Sequence, residues 1–260
     1  MDNQIPVPDV SDKEVDEKVK ERRKAIQENE AYNEEKRQKL LKVLEELQKF
    51  PLGRHLLVNQ SLSGYWTDAI VNAPVDQIYP NKTEGYLFKE SPPFAARRYG
   101  QQVIHKAVQE FLRPNKAVAS IPCGLMSEVL LATSEPFSRV NLYAIDKDSE
   151  NFDLIRKKYP ERLVGNHFRD ILTKDAVNLD YTMYKEWFDV ICSIGFTMYL
   201  EKDEDMQKLF DGFYIALKKD GVLVTNFGTA PAEYNTESLA KLEQTYQLIS
   251  ALLILREERH

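Results

Sequence analysis

Cysteine is scarce in this chain of 260 residues: only Cys123 and Cys192 occur. Their flanks are apolar, which suits small core fillers. Two such residues make neither a disulfide framework nor a zinc site, so no metal is expected and a reducing compartment fits. A signal-peptide core is also missing, since residues 1–10 are polar and carry two prolines. The longest apolar run, Leu248 to Leu255, falls far short of the roughly 20 residues that cross a bilayer. These absences together predict a cytoplasmic protein without a membrane partner. There is no basic excess either: 35 Lys and Arg face 41 Asp and Glu, a net charge of −6. That balance does not announce a nucleic-acid surface. Finally, neither G-x-x-x-x-G-K-[ST] nor G-x-G-x-x-G occurs, so the usual backbone cradles for phosphates are lacking.

What is present is a composition for a packed core, 43% apolar and 29% charged. The length allows one large domain or one domain with a helical extension. Residues 1–95 read as a helical N-terminal cap and residues 96–260 as the main domain. Ser11-Asp12-Lys13-Glu14 is a capping box at a helix start. The apolar spacing that follows is thin at Val15, Val19 and Ile26, and firm at Leu40, Val43, Leu44 and Leu47. This predicts a solvated helix with one buried end, stopped at Pro51 and Gly53. The same helix could instead be a dimerising arm. Two further helical pieces are expected in residues 54–95, a stretch broken by five Pro and Gly residues between Pro74 and Pro93. Residues 99–112 form an amphipathic helix.

After Pro114 strand and helix alternate. Strands are expected at residues 117–121, 140–145, 162–168, 188–194 and 222–227. Helices are expected at 126–133, after Ser149, at 204–218 (stopped by Asp220-Gly221) and from Thr236 to about Leu255. Such alternation implies a parallel sheet with helices on both faces. Ligands bind such sheets at the carboxyl ends of the strands, so the loops there are the places to look. Strand one leads into Pro122-Cys123-Gly124, and strand two ends at Asp146, 22 positions beyond Gly124. A carboxylate there can accept from both hydroxyls of a ribose whose other end lies over the first loop. A loop with one glycine does not suit a pyrophosphate. It suits a nucleoside without phosphate.

From about Arg97 onward the chain resembles the class I (Rossmann-like) S-adenosylmethionine-dependent methyltransferases. The resemblance rests on Ser120-Ile-Pro-Cys-Gly-Leu-Met126, Leu142-Tyr-Ala-Ile-Asp146, Phe168-Arg-Asp-Ile-Leu172, Phe188-Asp-Val-Ile-Cys-Ser193 and Leu217-Lys-Lys-Asp-Gly-Val-Leu-Val224. It implies strand order 3-2-1-4-5 and S-adenosylmethionine as cofactor. Pro122, Cys123, Gly124 and Ser193 would line its site, Asp146 would hold the ribose, and Asp170 the adenine amino group. The alternative is that Asp146 and Asp170 simply cap the helices that follow them. Arg97, Arg98 and Gln101 stand where the family's entry helix can meet the cofactor carboxylate. Tyr199, after strand four, is the residue expected to orient the methyl acceptor. The sequence departs from the family at Ser120, where an acid is usual, and at Pro122 and Met126, where glycines are usual. The C-terminal antiparallel strand pair is also not evident. The expected reaction is methyl transfer to a small molecule. The alternative is a non-catalytic binding or scaffold protein on a degenerate methyltransferase fold. A homodimer through the C-terminal segment or the N-terminal helix is expected from the apolar run at 248–255 and an uncovered edge of the sheet.

Overall fold

A computed structural model describes residues 7, 8, 10–74, 76–132, 139–164, 166–200 and 202–226. The described residues form two compact units that meet in sequence between Arg98 and Tyr99.

The first unit is helical. α1 (Asp12–Glu28) begins with the expected capping box: the Ser11 hydroxyl accepts from the Glu14 amide, and the Glu14 carboxylate accepts from the Ser11 amide. The chain does not continue as one helix. Asn29 ends α1, and the Asn33 side chain accepts from the Lys36 amide to start α2 (Glu34–Leu47). Nor is α1 solvated with a single buried end. Val15, Val19 and Ile26 are all buried, and they join Leu40, Leu44 and Leu47 in one core. Pro51 is a start rather than a stop, at the first position of α3 (Pro51–Asn59), where its missing N–H costs nothing. α4 (Gly64–Val71) and α5 (Lys82–Lys89) follow, each opened by a side-chain cap from Ser63 or Asn81. Trp66, Ile70, Leu87 and Phe88 complete the core.

α6 (Pro92–Phe111) contains the boundary between the units. The second unit then alternates: β1 (Ala117–Ser120), α7 (Ser127–Leu130), β2 (Asn141–Asp146), α8 (Glu150–Lys158), α9 (Pro160–Leu163), β3 (His167–Thr173), β4 (Phe188–Ser193), α10 (Asp203–Ala216) and β5 (Leu217–Thr225). Among the described residues the sheet has five strands, all parallel, in the order β3-β2-β1-β4-β5. This is the Rossmann-like arrangement of the class I methyltransferases, with the order reversing between β1 and β4. Both faces are covered, which is why the central strands are nearly continuous apolar runs. Val118, Leu142, Ala144, Val190 and Cys192 pack toward Ile104, Val108, Val129 and Phe152. Ala119, Tyr143, Ile145, Phe188 and Ile191 pack toward Leu209, Phe213 and Ala216 of α10.

Two edge strands differ from expectation. Residues 160–163 are taken by α9, so β3 starts at His167 and runs through Thr173. α10 ends at Ala216, and β5 runs through Lys218, Lys219, Asp220 and Gly221, the stretch expected to close a helix. Edge strands tolerate such charges because one side of the backbone meets solvent. The helix expected from Thr236, the run at 248–255 and the question of a final strand pair fall outside the described residues.

Candidate ligand site at the carboxyl ends of the strands

The first loop is held between the two neighbours of β1. The Ile121 amide donates to the Cys192 carbonyl of β4 at 2.8 Å, and the Cys123 amide donates to the Ile145 carbonyl of β2 at 2.9 Å. The Ile121–Pro122 peptide is cis, and Pro122 is half-buried. Gly124 then turns with φ of 46°, a left-handed conformation that glycine adopts without penalty. The Met126 amide closes the turn onto the Cys123 carbonyl at 2.7 Å. The loop therefore sits where the strand order reverses, the place where open α/β sheets bind ligands.

Asp146 ends β2 and reaches into this loop. Its Oδ2 accepts from the Gly124 amide at 2.8 Å and its Oδ1 from the Asp148 amide at 3.0 Å. Only 7% of the residue is exposed. Burial pushes its carboxyl above the usual range, while the Asp148 and Gly124 amides pull it back down. The bond to Asp148 closes a turn before α8, but the helix begins at Glu150 behind Ser149 without a side-chain cap, so Asp146 does not cap it. The bond to Gly124 is additional, and it places the carboxylate against the first loop.

Cys123 is buried, and its Sγ donates to the Gly124 carbonyl at 3.3 Å. Burial, then the charges of Asp146 and Glu128, push its thiol well above the usual range. Ser193 ends β4. It is fully buried, its Oγ has no partner among the described residues, and its carbonyl accepts from the Thr225 hydroxyl at 2.8 Å. Tyr199 lies in a single 3-10 turn after β4 (Thr197–Tyr199) and is 47% exposed. Asn226 fixes the loop before it: Asn226 Oδ1 accepts from the Gly195 amide at 2.6 Å, and the Asn226 carbonyl accepts from the Thr197 hydroxyl at 2.9 Å.

Asp170 is not in the loop after β3. It stands inside the strand, opposite Tyr143, whereas Asp146 pairs with Thr173. Three residues of strand put it roughly 10 Å short of the carboxyl edge. Its Oδ2 accepts from the Tyr184 hydroxyl at 2.9 Å. Burial, then this bond, push the Tyr184 hydroxyl up to about 12. The displacement follows from the late start of β3. The acid in the loop proper is Asp175, which accepts from the Val177 amide and the Asn178 side chain.

Gln101 is buried, and its Nε2 donates to the Ser127 hydroxyl at 3.4 Å, beside the first loop. Arg98 is used elsewhere, donating to the carbonyls of Phe88 and Lys89 at the end of α5. Sequence reasoning passed over two residues, Asn226 and Glu128. Glu128 is 8% exposed in the first turn of α7, and its Oε1 accepts from the Ser120 hydroxyl at 2.5 Å. The available signal was the serine itself, at a position where the resemblance leads one to expect an acid.

No family model and no curated protein matches the chain. Solved structures do. A possible exported protein from Bordetella parapertussis is 25% identical, with 93% of this chain and 82% of that one covered and a TM-score of 0.77. More distant are a DszA carbon methyltransferase and the magnesium protoporphyrin IX methyltransferase of Synechocystis PCC 6803 with bound S-adenosylmethionine. The former is 16% identical, with 83% and 51% covered and a TM-score of 0.47. The latter is 15% identical, with 72% and 88% covered and a TM-score of 0.42. The Bordetella structure shares the fold over almost the whole chain. Reading a function depends on the site.

Proposed function

We propose that this protein binds S-adenosylmethionine over the first loop and transfers its methyl group to a small-molecule acceptor. The observation that carries the reading is the junction of Asp146 with Gly124, a buried carboxylate at the end of β2 held against a one-glycine turn. That pair suits a ribose diol beside a close backbone approach, without the amide cradle a pyrophosphate requires. The residues present fit the group. A carboxylate offers about four lone-pair sites, of which Asp146 gives three to the Gly124 and Asp148 amides and the Asn151 side chain, and the Ser193 hydroxyl is buried at the same end of the sheet without a partner among the described residues.

In this reading Asp146 holds the ribose, and Pro122, Cys123 and Gly124 form the floor under the rest of the ligand. The sulfonium, when bound, supplies an already activated methyl group. The chain's task is then alignment in a site from which water is excluded. Tyr199 is placed on the side of β4 and orients the acceptor. Its loop is held by Asn226, so its backbone position is defined while its ring is free to meet a ligand.

Titration calorimetry with S-adenosylmethionine and S-adenosylhomocysteine tests the reading. Saturable binding of both supports it, and no heat at millimolar ligand rejects it. The rival is a non-catalytic scaffold, favoured by the fact that both Asp146 oxygens already accept amides. It predicts the second result.

Among the described residues no helix is long and apolar enough to cross a membrane. We assign the protein to the cytoplasm on its two free, buried cysteines, without a nucleic-acid partner. The proposed self-association rests on the run at 248–255 and on the N-terminal helix. A strictly monomeric protein in light scattering at tens of micromolar would reject it.

A further inference from the structure

α10 and the stretch that leads into β4 lie side by side. The ring of Tyr181, in a 3-10 turn (Tyr181–Tyr184), packs on Gly212 and meets Phe213 edge-on. The Glu186 and Trp187 amides donate to the Ile215 and Ala216 carbonyls, each at 2.9 Å. Between the two segments runs an open trough of about 680 Å³. Its apolar lining comes from Val177, Leu179, Tyr181 and Ile215. Past Ile215 the face continues into Met183, 75% exposed, Trp187, 50% exposed, and Tyr214, 84% exposed. One such side chain in water needs no explanation. Methionine, tryptophan and tyrosine together have the composition of an interface core.

The charges around the trough are nearly all of one sign. Asp180, Asp203, Glu204 and Asp211 line it, with Lys208 as the single cation. Lys208 is committed elsewhere, since its ammonium donates to Asn178 Oδ1 at 2.7 Å. None of the four acids has an ion-pair partner among the described residues. Asp203 and Glu204 stand in the first turn of α10, where negative charge suits the helix dipole. Asp211 is two turns further on, so the dipole does not account for it. The lining positions 204, 208, 211 and 215 recur at helical spacing over about 17 Å. The trough therefore runs along α10, and no strand edge is offered in it, so recognition there is by side chains.

We propose that this face docks a basic amphipathic helix of a partner protein, its apolar side chains in the trough and its Lys or Arg residues against the acids. A helix with apolar residues at i, i+3, i+4 and i+7 matches the period of the lining. Charge selects this occupant over the others. A second copy brings another net −6, and the anionic headgroups of a membrane meet the same acids. The surface uses none of the residues assigned to the nucleoside site, so it stands apart from the function proposed above.

Trp187 reports on the test. The chain has two tryptophans, and Trp66 is already buried, so a change in emission colour belongs to Trp187. The probes are two synthetic helices with leucine at i, i+3, i+4 and i+7, one with lysine at the other positions and one with glutamate. The lysine helix is expected to shift the emission to the blue and saturate. The glutamate helix should bind about tenfold more weakly or worse. Asp203→Asn with Asp211→Lys should weaken the lysine helix by about the same factor. The equivalent charge change at two exposed turn residues of the helical unit, Asp76→Asn with Glu30→Lys, should leave it within about twofold. Equal binding of the two helices, equal loss from the two pairs of substitutions, or no shift with either helix overturns the proposal. If the α10 variant does not fold, the comparison of the two helices on the wild-type chain decides alone.

Discussion

The amide of Gly124 donates to Asp146 Oδ2 across 2.8 Å, joining the Cys123 amide on the Ile145 carbonyl in tying the turn after β1 to the end of β2. That carboxylate also carries the Asp148 amide and is almost entirely buried. Asp146→Ala should weaken S-adenosylmethionine binding by about 1.5–3 kcal/mol, the range for losing a charged acceptor. Calorimetry on a variant shown to be folded by circular dichroism measures this. Unchanged affinity would reduce Asp146 to a structural role in holding the turns at Gly124 and Asp148.

Gly124→Ala tests the turn itself. With φ at 46°, a side chain there meets the left-handed penalty of about 1–2 kcal/mol. Urea unfolding should show a loss near the lower figure, since Met126 tolerates φ of 56° two residues later. No loss would mean that the turn relaxes to another conformation.

A second glycine separates stability from binding. In α10 a Cβ on Gly212 would lie 2.2 Å from Cδ2 and 2.5 Å from Cε2 of the Tyr181 ring. That ring cannot retreat easily, because its hydroxyl donates to the Ala176 carbonyl at 2.8 Å and its edge meets Phe213. Gly212→Ala should cost about 1–3 kcal/mol of stability, as overpacking does. Ligand affinity in the folded fraction should be unchanged.

Sheet stability should depend on acid through Asp189. Burial raises its carboxyl, but Lys116 and Lys218, each at 2.7 Å, and the Ala117 amide at 2.9 Å outweigh that and leave it below the ordinary 3.8. A depressed carboxyl contributes stability above its unfolded value and loses it as pH falls through the folded one. Asp189→Asn should therefore be destabilised by about 1 kcal/mol at pH 7. The gap to wild type should close on acidification below 3.8. Equal unfolding midpoints at pH 7 would contradict this.

What could be read from the sequence follows the burial. β1, β2 and β4 are apolar on both faces, so their order and the acid at the end of β2 were legible. The edge strands were not. β3 carries Arg169 and Asp170, and β5 carries Lys218, Lys219 and Asp220, all compatible with an edge and misleading as sequence. In the helical unit, Pro51 looked like a terminator because proline both ends and begins helices, and only the chain direction around it decides. Glu128 was invisible for a different reason. Its place beside the first loop is created by the turn at Gly124 and Met126, and no spacing rule reports that. Asn226 likewise acts on residues about thirty positions away.

The most direct measurement of the central claim is an amide nitrogen–proton correlation spectrum of the intact chain, recorded with increasing S-adenosylhomocysteine. The account predicts saturable shifts of the Gly124 and Asp148 amides, the two that Asp146 accepts. Smaller changes should appear at Ile121, Cys123 and Gly195. Shifts confined to other regions, or none at millimolar ligand, would contradict a nucleoside site at the end of β2.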